Sequence, residues 1–332
     1  MKINIKKNKL PILIFLIFGI VPLFLDSYYL DNISYFMCWS FISLGLAVIW
    51  GMGGVLSFGQ TAFFGLAGYS FGVISINFIG VPGVGIWSVF LALFITGIFG
   101  LIVGYFLFYG GIYDVFVGIV TLAITLVFET FMQQTAGPEY TIGVARLNGF
   151  NGMQGMPTIG FQDTKFGLVQ GITQYYFILT LAAIILFALY KFKNSKIGLI
   201  FLASKEDRDR VASLGHNVKR VQLIGFVIAS LLAGVSGILY TNWGGYITPS
   251  SMGLVSAALP VVWVAASGKK DFLSVFVGCI FLVWLSQMLA INGAQFAIIA
   301  MGLILVITTR FFPDGLILRA KNILINKIKW LQ

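Results

Sequence analysis

The sequence predicts an all-α polytopic membrane protein with about ten transmembrane helices and both termini on the cytoplasmic side. Composition is the first reason: 59% of the 332 residues are hydrophobic and only 10% charged, where a soluble domain carries about 25% charged residues. The second is that apolar runs of bilayer-crossing length use up almost the whole chain, at a mean hydropathy of +0.97. The third is where the cations fall. Nineteen of the 21 Lys and Arg lie in Lys2–Lys9, Lys191–Arg220, Lys269–Lys270, Arg310 and Arg319–Lys329. With about ten crossings all of these groups land on one side, and dropping any helix spoils the match. The net charge of +10 therefore reads as a topology signal that meets anionic lipid, not as a nucleic-acid footprint.

In chain order, Lys2, Lys6, Lys7 and Lys9 precede the apolar run Leu10–Leu25. That run is long for a signal peptide, and Asp26-Ser27-Tyr28-Tyr29 follows it in place of a small-residue cleavage site, so it reads as a retained first helix. A second run covers Ile33–Trp50. Gly51–Ile79 mixes glycine with aromatics and reads as a third, broken or tightly packed helix, closed by a turn at Gly80–Gly85 around Pro82. Helices follow at Ile86–Phe108 and Val115–Met132. The polar segment 133–170, charged only at Glu139, Arg146, Asp163 and Lys165, is long enough to suggest a function and falls outside by parity. After a helix at Thr173–Tyr190 comes the charged stretch 191–220, then runs at Val221–Tyr240, Gly253–Ser267, Phe272–Ile291 and Phe296–Thr309. Gly253–Ser267 is short and suits a half-crossing element buried in protein. The basic tail 310–332, interrupted at Phe312-Pro313-Asp314-Gly315, suits the membrane surface. Trp50, Trp87 and Trp243, near segment ends, read as interfacial anchors. The pairs Gly68/Gly72 and Gly100/Gly104 have the G-x-x-x-G spacing of helix packing. All 332 residues read as a single transmembrane domain.

Lys191–Arg220 carries eight basic residues and three acids, Glu206, Asp207 and Asp209. Burying one such charge at a bilayer centre costs roughly 2.5–3.5 kcal/mol, so the stretch stays in water, and its basic excess places it in the cytoplasm. Ala203–Leu214 has neither Pro nor Gly and predicts a short helix ending at Gly215. The acids near its start complement the helix dipole, and Val211, Leu214, Val218 and Val221 recur at helical spacing as a docking stripe. Composition by itself reads the stretch as a solvated loop that sets orientation. Cys38 and Cys279 fall in apolar runs, which argues against a disulfide framework. One His and two Cys give no metal-ligand cluster, and no cofactor motif is present. No nucleophile–base arrangement points to an enzyme. The phosphate-cradling pattern G-x-x-x-x-G-K-[ST] is missing, since Gly268-Lys269-Lys270 lacks the upstream glycine and the hydroxyl. Any ATP-driven mechanism needs a separate chain.

Ala203, Lys205, Glu206, Leu214, Gly215 and Asn217 stand, without a gap, where the cytoplasmic coupling motif of ABC importer permeases for branched-chain amino acids and urea has an Ala, a basic-acidic pair and Leu-Gly-x-Asn. The run from Trp50 through Gly54, Ser57, Gly59, Gln60, Phe63 and Gly68 to Tyr69 resembles that family's G-x-x-G-x-x-S-x-G-Q motif with its trailing Phe and Tyr. Gly111-Ile112-Tyr113, Asn151-Gly152, Trp263-Val264-Ala265 and Phe311-x-Pro313-x-Gly315-Leu316 are similar to further family elements. The likeness covers most of the chain from the second helix onward. Departures are Phe108-Tyr109-Gly110 where basic residues usually stand, Leu259 in place of an acid common in one branch, and Ser267-Gly268 in place of a glycine pair. The resemblance implies a non-catalytic permease of the bacterial inner membrane. Such a subunit pairs with a second permease, recruits two cytoplasmic ATP-binding subunits and receives solute from an external binding protein. Ala203–Gly215 would be the ATPase contact, with Lys205, Glu206, Asp207, Leu214, Gly215 and Asn217 as coupling residues. The missing acid favours a branched-chain or similar amino acid over urea or a short amide.

Candidate translocation-path residues are Ser57, Gln60, Phe63 and Glu129. Glu129 and Asp114, at opposite ends of one predicted helix, are acids in or near apolar runs, where ionisable groups are functional candidates. A stand-alone secondary transporter driven by an ion gradient is the competing reading, but it would want acids nearer the midplane than these two. His216 reads as a helix-end or solvent-facing residue.

Overall fold

The computed structural model describes residues 9–160, 168–291 and 293–330. Lys2, Lys6, Lys7, Asp163 and Lys165 of the charge pattern lie outside the described residues. The fold is all-α. Its helices are α1 (Lys9–Ile20), α2 (Ser27–Leu46), α3 (Gln60–Asn77), α4 (Val84–Tyr109), α5 (Val115–Gln133), α6 (Gly171–Lys193), α7 (Lys196–Glu206), α8 (Arg208–Ser213), α9 (Val218–Gly244), α10 (Leu254–Ser267), α11 (Phe272–Ala290), α12 (Ala294–Phe311) and α13 (Leu316–Trp330). Among the described residues six helices are long and apolar enough to cross a bilayer: α2 with its π-turn extension to Met52, α4, α5, α6, α9 and α11. A seventh is added if α12 and α13, bent by 58° at Phe312–Gly315, form one span. The other expected crossings fall on α3 and on two shorter apolar helices, Leu10–Leu23 and α10.

Several boundaries differ from the sequence expectation for physical reasons. The second helix does not stop at Trp50 but winds on to Met52, because Gly51 lets the backbone close against the carbonyl of Lys269. The expected break then comes at Gly53–Gly59, ahead of α3. The first helix is only 12 residues long, ending ahead of a 3-10 turn that contains Pro22. Residues 133–160 of the polar segment are tied to the bundle rather than forming a free loop. β1 (Thr141–Ile142) pairs with β2 (Ala145–Arg146), and β3 (Met153–Gln154) pairs with β4 (Tyr246–Ile247), which follows α9. Asn77 donates to the Ile142 carbonyl at 2.7 Å and accepts the Val144 N–H, while Asn242 accepts the Ile159 N–H at 2.7 Å. Of the three tryptophans expected at the lipid interface, Trp87 is exposed. Trp243 instead donates to the Asp31 carbonyl and packs 4.7 Å from the Tyr35 ring, tying α9 to α2.

α9 is the axis of the bundle, and small residues let α2, α3 and α4 close on it. A Cβ at Gly237 would run into the Phe64 carbonyl of α3, and one at Gly45 would press the Ala229 carbonyl. Gly100 and Gly104 of α4 meet Ser230, Leu223 and Phe226, so that G-x-x-x-G pair packs within the chain. Ser236 donates to the Cys38 carbonyl at 2.7 Å, tying α9 to α2. Cys38 and Cys279 are both buried and free.

At the end of the bundle that carries α7 and α8, one carboxylate gathers three elements. Asp271 caps α11 by accepting the Ser274 N–H, and it also accepts the Tyr190 hydroxyl of α6 at 2.9 Å and Lys321 of α13 at 2.7 Å. A second pair, Lys270–Asp314, and the close approach of Gly315 to Gly268 hold α13 to the α10–α11 corner. Burial alone would raise the Asp271 pKa, but hydrogen bonds from Lys321 and Ser274, with the charge of Lys321, bring it below the ordinary carboxylate value of 3.8.

Two outcomes follow from this packing. Gly237→Leu should part α3 from α9 and strongly reduce folded, detergent-stable protein, since overpacking typically costs about 1–3 kcal/mol; a monodisperse size-exclusion profile and thermal stability equal to wild type would contradict it. Because the Asp271 pKa is lowered on folding, its contribution is complete above the ordinary carboxylate range and disappears as pH falls through the folded value. Acidification below about pH 4 should therefore release α13 from the corner, read as faster amide exchange across Leu316–Ile323, and Asp271→Asn should show that exchange already at neutral pH.

Candidate functional site

The expected coupling helix is two helices. Asp207 has an extended backbone (φ −157°, ψ 106°) and its carboxylate accepts the Arg210 N–H at 2.9 Å, so it ends α7 and caps α8. An Asp inside a helix competes for nearby backbone N–H groups, which is why it favours caps. α8 then closes as expected: Gly215 takes φ +85°, and the His216 N–H reaches back to the Val211 carbonyl. Asn217 starts α9 by accepting the Arg220 N–H at 3.0 Å.

The motif residues face two ways. Lys205 turns into the bundle, where its Nζ donates to the Gly51 carbonyl at 3.1 Å and its stem lies on Gly54. Phe201, fully buried, slots between Gly53 and Gly225 and so joins α7 to the break after α2 and to α9. Lys269 lies 4.5 Å above the Trp50 ring at the same place. Ala203, Glu206, Asp207, Gly215 and Asn217 are instead exposed. Leu214 is 70% exposed although apolar, while Val211, one turn earlier, is buried. The stripe expected from Val211, Leu214, Val218 and Val221 therefore divides, with Leu214 facing outward.

Ser57, Gln60 and Phe63 lie in the break and the first turn of α3, all buried. The Ser57 hydroxyl accepts the Gly59 N–H. The Gln60 amide has neither polar atom hydrogen-bonded, an arrangement that costs about 1–3 kcal/mol per group when nothing answers it. Phe63 points between α4 and α9, its ring 5.9 Å from Phe99 and 5.5 Å from Phe226. Glu129 is half-buried near the far end of α5; Gln133 donates to it at 3.1 Å. Its carboxylate abuts Gly253, the residue that opens α10, so the carboxylate lies at that helix's N-terminus. α5 brings these positions together. Thr121 accepts the Phe58 N–H at 3.2 Å and Thr125 donates to the Phe58 carbonyl at 3.2 Å. Thr121-Leu122-Ala123 follows Gly111-Ile112-Tyr113 in a family-like element, but nothing local in the sequence announces a partner more than sixty residues away. Among the described residues no three His, Cys, Asp or Glu side chains gather as a metal site.

The family described as branched-chain amino acid transport system / permease component matches residues 28–312. The chain belongs to that family. Its members are transport subunits rather than enzymes, and the ATPase in these systems is a separate partner. This permease is similar to the high-affinity branched-chain amino acid transport system permease protein LivM of Escherichia coli (strain K12), at 24% identity over 94% of this chain and 75% of the relative. LivM of Salmonella typhimurium (strain LT2) is similar to the same extent. No solved structure matches the chain. The chain is a multi-pass helical membrane protein of that family.

Proposed function

We propose that this permease imports a branched-chain or similar amino acid across the bacterial inner membrane, and that ATP hydrolysis reaches it through the face formed by Ala203–Gly215. It pairs with a second permease, binds two cytoplasmic ATP-binding subunits on the α7–α8 side and takes cargo from a binding protein on the side of segment 133–170. Both termini, the 191–220 stretch and the 310–332 tail then face the cytoplasm. The observation that carries this reading is the α8 surface. Leu214 stands 70% exposed beside exposed Glu206, Asp207, Asp209 and Arg210. One apolar anchor in a charged rim is what a groove in a partner protein recognises. The printed names of the relatives support the cargo class. Ser57, Gln60, Phe63 and Glu129 are the path residues of this reading. Glu129 supplies a negative charge for the ammonium group of the cargo, and the buried, unanswered amide of Gln60 supplies polar contact lower in the bundle.

Gly215 has open space around its missing Cβ, so a side chain there meets no clash, only the penalty of φ +85°. For an L-residue that is roughly 1–2 kcal/mol, about a five- to thirtyfold shift against the closed α8 end. Gly215→Val, and Glu206→Lys by charge reversal, should insert normally yet hydrolyse ATP with little uptake of leucine in reconstituted vesicles. Full uptake in both variants would reduce the stretch to a topology signal. A cysteine placed at Asp207 should react with an impermeant maleimide only after the cytoplasmic face is opened; labelling of intact cells would reverse the orientation.

A further inference from the structure

We infer that the Asp114–Arg208 ion pair is a positioning joint that makes α5 follow α8, an inference that rests on the importer reading above. Arg208 is the first residue of α8, yet its side chain turns away from the exposed face, with only 23% of it accessible. Its Nη2 donates to Asp114 Oδ1 at 2.9 Å, and its guanidinium lies 4.7 Å over the Tyr113 ring. Among the described residues this is the one side-chain hydrogen bond between α7–α8 and the α4–α5 corner. Lys219, at the start of α9, lies 6.0 Å over the Tyr109 ring of the same corner.

The corner is built to hold a fixed shape. Gly111 has φ +77° and Asp114 has φ +54° with ψ −124°, so the three residues Ile112–Asp114 end in a conformation that a non-glycine residue rarely adopts. Tyr113 reaches back to the Phe108 carbonyl. A strained, hydrogen-bonded corner passes on displacement instead of absorbing it. The helix it feeds is loosely embedded: α5 buries only Val117, Gly118, Thr121 and Thr125. Two of those residues touch the candidate path, since Thr121 and Thr125 grip Phe58, next to Ser57; further along, half-buried Glu129 abuts the start of α10. A rod of 19 residues, about 28 Å long, thus has the coupling element at its foot, the α2–α3 break along its side and the α10 N-terminus at its head. An ion pair this exposed adds little to stability. Its place is at the junction of two elements that must move together.

The test uses the assembled importer with its permease and ATPase partners, reconstituted in proteoliposomes and supplied with radiolabelled leucine. Asp114→Asn keeps a residue that tolerates positive φ and removes only the charge. It should retain the ATPase and its hydrolysis within about twofold while uptake per ATP falls about five- to tenfold, within the usual range of coupling between sites. Arg208→Gln should lose coupling similarly, and the double variant should be no worse than either single one, because both remove the same joint. Asp114→Glu should recover part of the loss. Wild-type coupling in Asp114→Asn, or losses that simply add in the double variant, would overturn the joint and leave the importer reading standing. Failure of the unaltered permease to recruit an ATPase would overturn both.

Discussion

Between lipid-immersed helices the hydrophobic effect supplies almost no attraction, because lipid tails are as apolar as leucine, so the bundle holds where backbones and small side chains come close. Here that condition is met along α9. Ala229, Ser230, Ala233, Gly234, Ser236 and Gly237 are the small residues on which α2, α3 and α4 rest backbone-near. The fit leaves no slack: the Phe64 carbonyl occupies the space a side chain at Gly237 would need. Everything else in the molecule is placed by reference to this block. Its rigidity also assigns motion by exclusion. α2 and α9 are largely buried, whereas α5 shows most of its surface and α12 has a largely exposed face. Helices that bury little can shift without rebuilding the core.

The end of the block that carries α7 and α8 poses an electrostatic problem, which the fold answers locally. Lys205 and Lys269 converge on the break after α2. Burial lowers the pKa of Lys269, and its neighbours Lys205 and Lys270 lower it further. Each cation is given a partner that carries no full charge: Lys205 takes the Gly51 carbonyl, and Lys269 takes the face of Trp50. The half-buried carboxylate nearby, Asp271, is spent on Lys321 and on helix capping. Lysines therefore do more here than orient the chain, because Lys269 and Lys205 close the gaps that the glycines at 51 and 54 open in the backbone, while Phe201 fills the one at Gly53.

Much of this was legible in the sequence, though unevenly. Fold class follows from composition and from the placement of Lys and Arg, both one-dimensional properties. The coupling stretch stands out because charge in an oily chain has few places to go, and Gly215 marks its end correctly. The break inside it at Asp207 was obscured because acids near a helix start and an acid that caps a second helix look alike in sequence. Trp243 was read as a lipid anchor because its segment end was visible and its partner, the Asp31 carbonyl, was not. The strands in segment 133–170 are two residues each and pair partly with a stretch roughly ninety positions away, so no local periodicity could announce them. Thr121, Thr125 and the Asp114–Arg208 pair were invisible for the same reason: their meaning lies in residues distant along the chain.

The stretch proposed as the ATPase contact, seen in three dimensions, faces two ways. Lys205, Phe201 and Arg208 point inward and fix where α7 and α8 stand against the α2 break, α9 and the foot of α5. Glu206, Asp207, Leu214 and Gly215 are exposed, and in the proposed importer they are what a partner would grip. An inward residue can be exchanged only for one that reaches the same carbonyl, glycine gap or carboxylate. An outward one has to match a surface on another chain. In the proposed importer, force applied to Leu214 would reach the bundle through the inward set, and among the described residues of that set Arg208 is the one that leads by a side-chain bond to the foot of α5, a helix the α9 block leaves mostly exposed.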